Sequence, residues 1–335
     1  MDHFTHIADL GVEGTVDVLD LSLRWKHEPP PGLFAGKILG MLFFNPSLRT
    51  RVSFEAAMIR GGGDAIVLDV DASVWKLEDR EGIRMDGDKP EHIREAIPVL
   101  ARYVDALAVR SFASSKDSDE DECDTLIRQI RRFSTVPVVS METVREHPCQ
   151  GLADMLTIRE KLGGLAGKRV TLSWAPHIKP LPMAVPHSFM LNAAACGCRI
   201  TVARPDGFDL HSKVIEEAEE YAKRSGGEIR FTNDQMDACK DAEVIYGKSW
   251  GPATKMGQVV SFDELARRNA DWIIDMSKLA AGGKPAYFMH CLPVRRNVVV
   301  TDEVLDHPAC IVVDQAENRV HVQRAVLGRL IGSYR

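Results

Sequence analysis

The sequence predicts an α/β protein of two doubly wound domains, each a parallel sheet with helices on both faces. Three observations predict it. Short apolar runs alternate with amphipathic stretches almost to the end of the chain. The 335 residues, 45% of them hydrophobic, suffice for two cores of ordinary size. No internal repeat is visible.

In the first half, residues 37–44, 65–69, 106–110 and 136–140 read as buried strands. Residues 51–60 and 91–104 between them have helical spacing, and Gly61-Gly62-Gly63 terminates the first of these helices. Pro90 suits the first turn of the second helix. A helix over 151–161 follows. Beyond it a second series of strands is expected over 169–174, 199–203, 228–231, 243–247, 272–275 and 287–290, with helices such as 212–225 and 261–267 between them. Gly163-Gly164-Leu165-Ala166-Gly167 is a turn: its spacing is one short for a phosphate loop, and Arg169 stands where a magnesium-binding hydroxyl is needed. The boundary falls between 140 and 165, giving domains at 1–145 and 146–315. A final helix near 318–331, within 316–335, follows the last strand; of the two domains it could pack on, the first is the expected one.

Composition removes several function classes. A net charge of -6, with the basic stretch 128–132 on a helical pattern, argues against a nucleic-acid partner. No run approaches the roughly 20 apolar residues of a membrane span, and residues 1–13 do not read as a signal peptide. Seven scattered cysteines, odd in number and without Cys-x-x-Cys, suit reduced thiols in a cytoplasmic protein. Cys196 and Cys198 have no matching His pair, so no metal site is expected. No Gly-x-Gly-x-x-Gly follows a strand, so no dinucleotide cofactor is expected.

Ligands of open α/β sheets bind beyond the carboxyl ends of the strands, so motifs that follow strands carry the chemistry. Asn45-Pro46-Ser47-Leu48-Arg49-Thr50-Arg51 follows a strand and opens a helix. Cap oxygens, free first-turn N–H groups and two guanidinium forks there make a site for a small anion, as against an ordinary capped helix with surface arginines. His147-Pro148-Cys149-Gln150 again joins strand to helix and offers neutral polar groups for a carbonyl oxygen and an amide. His290-Cys291-Leu292-Pro293 follows the last strand. Adjacent strand residues point to opposite faces, so Cys291 and His290 do not form a nucleophile–base pair.

Together these three motifs, in this order and at these spacings, resemble the aspartate/ornithine transcarbamylase family over nearly the whole chain. Ser47-Leu48-Arg49-Thr50-Arg51 is similar to its carbamoyl-phosphate signature, and His290-Cys291-Leu292-Pro293 to its ornithine branch. Lys248-Ser249-Trp250-Gly251 stands where ordinary ornithine enzymes carry Ser-Met-Gly. Met85-Asp86-Gly87-Asp88, residues 174–181 and Ala316-Glu317-Asn318-Arg319 resemble the branch that uses N-acylated ornithines.

The resemblance implies two domains, for carbamoyl phosphate and for acylornithine, with the active site in the cleft between them. It implies that Ser47, Leu48, Arg49 and Thr50 hold the phosphate, with Trp75 from a neighbouring subunit of a homotrimer. Arg110, His147, Pro148, Cys149, Gln150, Cys291, Leu292 and Arg319 are implied around the carbamoyl group; Arg49, Thr50, Arg110, His147, Gln150 and Cys291 are the catalytic positions. Pro90, Glu142, His177, Lys248 and Arg295 are implied for the acylornithine. Val299 replaces a lysine that is carbamoylated in some acetyl enzymes. Pro90 takes the place of the Glu found in N-acetylornithine enzymes and matches the Pro of N-succinylornithine enzymes. The implied reaction is carbamoyl transfer to the δ-amine of N-succinyl-L-ornithine in arginine biosynthesis, without metal or organic cofactor. The alternatives are an N-acetylornithine enzyme and, in a different class, a non-catalytic anion-binding protein.

Overall fold

The computed structural model describes residues 1–70, 75–112, 123–251 and 262–333. Residues 71–74, just before Trp75, and position 261 of the expected helix 261–267, lie outside the described residues. The chain divides into two compact units: residues 1–10, 17–149 and 319–335 in one, and 11–16 and 150–318 in the other.

In the first unit the strands β1 (Ile38–Phe43), β2 (Asp64–Asp69), β5 (Ala106–Arg110) and β6 (Val138–Glu142) form a parallel sheet in the order β2-β1-β5-β6. Both faces of β5 are buried, as expected for a central parallel strand of continuous apolar sequence. Leu42, Leu107, Val109 and Val138 pack against Ile93, Ile97, Ile127 and Ile130 of the helices Ile93–Leu100 and Thr125–Phe133. A separate two-stranded sheet pairs β3 (Leu77–Glu78) with β4 (Glu91–His92).

Two helices differ from expectation, and one is additional. The second helix begins at Ile93, with the His92 side chain accepting from Arg94 N as its cap, so Pro90 lies outside it and does not start it. The helix Gly11–His27 was not foreseen, because glycine and acidic residues interrupt its amphipathic pattern. The last helix runs from Val312 to Ile331, longer than expected. Gly61 does close the helix Leu48–Arg60, and Gly62 follows at φ +85°, a conformation that side chains rarely adopt.

Gly328 lets the last helix close on the buried indole of Trp25: a Cβ there would stand 2.7 Å from Trp25 Cη2. The ring cannot retreat easily, because Trp25 is buried and its carbonyl accepts from Arg324 Nη1 at 3.1 Å. Gly328→Ala is therefore expected to destabilise the protein by about 1–3 kcal/mol in denaturant unfolding. Unchanged stability would mean that the indole has room to move.

The second unit holds β7 (Arg169–Trp174), β8 (Arg199–Ala203), β9 (Glu228–Thr232), β10 (Val244–Lys248) and β11 (Tyr287–Met289), parallel throughout, in the order β11-β10-β7-β8-β9. The expected strand at 272–275 is not one. Ala270–Trp272 is a 3-10 turn, and Asp275 caps the short helix Met276–Leu279. Trp272 and Ile274 are both buried, which mimics the alternation of a strand, but only a single bridge, Ile274 to Val300, forms. The helix Ala184–Ala195 was also unforeseen: all twelve of its residues are buried, so no polar face marks the helical period. Among the described residues no helix is long and apolar enough to cross a membrane.

Candidate active site

In the first unit the candidate residues gather at the carboxyl ends of β1, β5 and β6. After β1 the chain turns through Asn45 and Pro46 into the helix Leu48–Arg60. Ser47 is extended and its hydroxyl caps the Thr50 N–H at 3.4 Å, while the N–H groups of the first turn present the positive end of the helix dipole. Leu48 is exposed and Arg49 half-buried. Arg51 turns away to Glu55, at 3.3 Å, and so stands apart from the Arg49 position. Asn45 Oδ1 accepts from Phe112 N at 2.7 Å, tying this turn to the loop after β5.

Arg110 and Glu142 are the last residues of β5 and β6. The register breaks between Val109 and Arg110, so that Val109 pairs with Ser140 but Arg110 with Glu142. That bulge brings the two side chains together as a buried ion pair. The Arg110 guanidinium also lies 4.6 Å over the Phe112 ring. Arg319, near the middle of the helix Val312–Ile331, donates to the buried hydroxyl of Thr50 at 2.7 Å.

His147 is buried, with Nε2 3.6 Å from Glu142 Oε2. That separation is too long for a hydrogen bond. Burial first, then the Arg319 and Arg110 charges, push its pKa well below the ordinary imidazole value. The ring is therefore neutral at pH 7, and the carboxylate does not hold an imidazolium. Burial likewise pushes the Cys149 thiol up to about 12, which removes it as a nucleophile at neutral pH.

Trp75 is 52% exposed and donates its indole N–H to Glu91 Oε2 at 2.6 Å. Pro90 is exposed one residue earlier, and Lys76 pairs with Asp88. Trp75, two residues before β3, is thus tied to Glu91 of β4, the residue that follows Pro90.

In the second unit Gln150 Nε2 donates to Asp154 Oδ1 at 2.8 Å, while its buried Oε1 has no hydrogen-bond partner among the described residues. Lys248 ends β10 and is buried, with Nζ donating to Ser249 O at 2.8 Å. Arg295 Nε donates to His177 Nε2 at 3.3 Å, and the other ring nitrogen, Nδ1, lies 2.9 Å from Lys179 O and 3.3 Å from Lys179 N. Burial, then Lys248, Arg295 and Lys179, lower the His177 pKa. A neutral imidazole surrounded by three cations suits a carboxylate ligand. After β11, His290 Nδ1 accepts from Leu292 N at 2.9 Å. Cys291, half-buried, is hydrogen-bonded instead to Tyr246, whose hydroxyl burial holds well above its usual pKa.

Three residues of this unit were not foreseen: Asp154, Tyr246 and Gln315. Asp154 stands four positions after Gln150 on one helix, a spacing that places both on the same face and was legible. Gln315 meets Asp154 across 161 positions, and no sequence signal announces that.

Two family models match the chain: aspartate/ornithine carbamoyltransferase, carbamoyl-P binding domain, over residues 2–160, and the Asp/Orn binding domain over residues 183–330. The N-succinylornithine carbamoyltransferase of Bacteroides thetaiotaomicron is 41% identical over 336 residues, covering 99% of each chain. The N-acetylornithine carbamoyltransferase of Xanthomonas campestris is 37% identical over 338 residues, covering 100% of this chain and 99% of that one. A crystal structure of an N-acetyl-L-ornithine transcarbamylase with one Glu replaced by Pro, complexed with carbamyl phosphate and N-succinyl-L-norvaline, superposes with a TM-score of 0.93. It is 37% identical and covers 98% of this chain and all of its own. With both halves matched and likeness over the full length, the chain belongs to the aspartate/ornithine carbamoyltransferase family, in its N-acylornithine branch.

Proposed function

We propose that this carbamoyltransferase acts on N-succinyl-L-ornithine, giving N-succinyl-L-citrulline and phosphate. Pro90 carries the reading. Relatives of both the succinyl and the acetyl kind match the chain at similar identity, so overall likeness does not choose between them. The related N-acetyl enzyme whose Glu-to-Pro variant was crystallised with a succinyl ligand supports the choice. So does the neighbouring residue: Glu91 is engaged by the Trp75 indole and paired in β4, and does not take the place of the missing carboxylate. An assay with ornithine, N-acetylornithine and N-succinylornithine tests the reading. Preference for the acetyl substrate would overturn it.

In the proposed reaction the neutral δ-amine attacks the carbamoyl carbon, and the C–N bond forms as a tetrahedral oxyanion develops. The bond to the phosphate oxygen then breaks, and the departing phosphate takes the amine's proton, so no strong protein base is needed. Ser47, Leu48, Arg49 and Thr50 hold the phosphate at the helix N-terminus, with Trp75. Thr50, Arg110 and the neutral His147 donate to the developing oxyanion, with Arg319 fixing the Thr50 hydroxyl. Gln150 Nε2 is committed to Asp154, which leaves Oε1 to accept from the carbamoyl NH2. Pro148, Cys149, Cys291 and Leu292 complete the surroundings of that group. Glu142, His177, Lys248 and Arg295 face the acylornithine, the cations meeting its carboxylates. No metal or cofactor takes part, and the reaction belongs to cytoplasmic arginine biosynthesis.

The same proposal includes a homotrimer with shared sites. Leu48, Val52 and Ile59 form an exposed apolar stripe on the helix Leu48–Arg60, with exposed Ile66 on β2 and exposed Trp75. Such a patch suits a second copy of the chain. Mixing inactive Trp75→Ala subunits with inactive Arg49→Ala subunits is expected to restore part of the activity, because some interfaces then pair two intact halves. No recovery in verified mixed trimers would rule out sharing.

A further inference from the structure

We infer that Asp154 is a positioning residue that fixes which end of the Gln150 amide faces the carbamoyl group. The inference deepens the role proposed for Gln150 and rests on it. An amide side chain can present oxygen or nitrogen with almost the same shape, so a site that needs an acceptor must decide the orientation. Here the decision starts at the main chain. The His290 N–H can only donate, and it donates to Gln315 Oε1 at 3.0 Å. The other end of that amide, Gln315 Nε2, therefore faces Asp154 Oδ1, at 2.7 Å. Gln315 Nε2 also lies 3.3 Å from the Tyr246 hydroxyl oxygen. Asp154 Oδ1 is thereby an acceptor, and Gln150 can meet it only with its NH2 group, at 2.8 Å.

Gln150 Oε1 is left over. It is buried and has no hydrogen-bond partner among the described residues, an arrangement that is costly unless a donor arrives. The carbamoyl NH2 is such a donor. Asp154, Gln315 and Tyr246 are fully buried, so water does not readily reset the relay. The backbone N–H of His290 thus sets the polarity of a side chain on another helix. One carboxyl group joins the Gln150 amide to the 290–292 turn.

The test compares carbamoyl phosphate with acetyl phosphate, which carries a methyl group where the former carries NH2. Calorimetric binding to the full-length protein is expected to favour carbamoyl phosphate by about tenfold or more, the usual scale for one buried hydrogen bond. Asp154→Leu is expected to bring the two affinities within about threefold of each other, with acetyl phosphate binding nearly unchanged. Gln150→Leu should do the same. A purely structural role for Asp154 would weaken both ligands by the same factor, and that result overturns the inference. So does an Asp154→Leu protein that keeps the wild-type ratio while Gln150→Leu loses it. If Gln150→Leu also keeps the ratio, the role proposed for Gln150 is itself wrong. Should Asp154→Leu fail to fold, Asp154→Ala carries the same expectation and the same two contrary outcomes.

Discussion

Replacing Arg49 with Ala is expected to lower kcat/KM for carbamoyl phosphate by about 10²–10³-fold, on the scale of losing one fixed donor to a charged group. The fold should survive. Arg49 lies in the first turn of a helix whose cap is Ser47 and whose packing is carried by Phe54, Ala57 and Met58. Removing the guanidinium leaves the first-turn N–H groups and their dipole in place, so residual anion binding should remain. Calorimetry with carbamoyl phosphate and a thermal unfolding curve on the same sample separate the two effects. A folded variant that binds like wild type would show that the phosphate lies elsewhere.

Pro90→Glu is expected to shift the acceptor preference from N-succinyl-L-ornithine toward N-acetyl-L-ornithine, changing the ratio of the two kcat/KM values by about a hundredfold. The succinyl group ends in a carboxylate and the acetyl group in a methyl. A Glu facing that end sets like charges together in a partly desolvated pocket, at a cost of about 2–3 kcal/mol. Pro90 is exposed and outside the following helix, so the substitution removes neither a helix start nor a buried contact. Its neighbour Glu91 is already bound to the Trp75 indole at 2.6 Å, so a second carboxylate would remain available to the acceptor. A wild type that prefers the acetyl substrate, or a variant whose ratio does not move, would remove Pro90 from the explanation.

Much of the molecule was legible in advance because the decisive information was local. The strand–turn–helix around Ser47 needs only contiguous residues: an apolar run, a hydroxyl at the cap, and a helical period after it. The parallel strands 169–174 and 199–203 announced themselves in the same way, as short apolar runs with polar flanks. Failures came where local pattern and environment disagree. The helix Ala184–Ala195 is buried all round and shows no periodicity, while Trp272 and Ile274 are buried in alternation without a neighbouring strand to pair with.

By itself, then, the sequence determined the α/β class, the position along the chain of most strands and the strand-to-helix turn capped by Ser47. Tertiary structure alone decided which groups those local pieces meet. The bulge between Val109 and Arg110 aligns Arg110 with Glu142; Arg319 reaches Thr50 from 269 positions away; Gln315 reaches Asp154 from 161. The physical reason is that helix capping and strand burial depend on neighbours in the chain. Strand register, hydrogen-bond polarity and the pKa of a buried imidazole depend on groups that only the closed fold brings within reach.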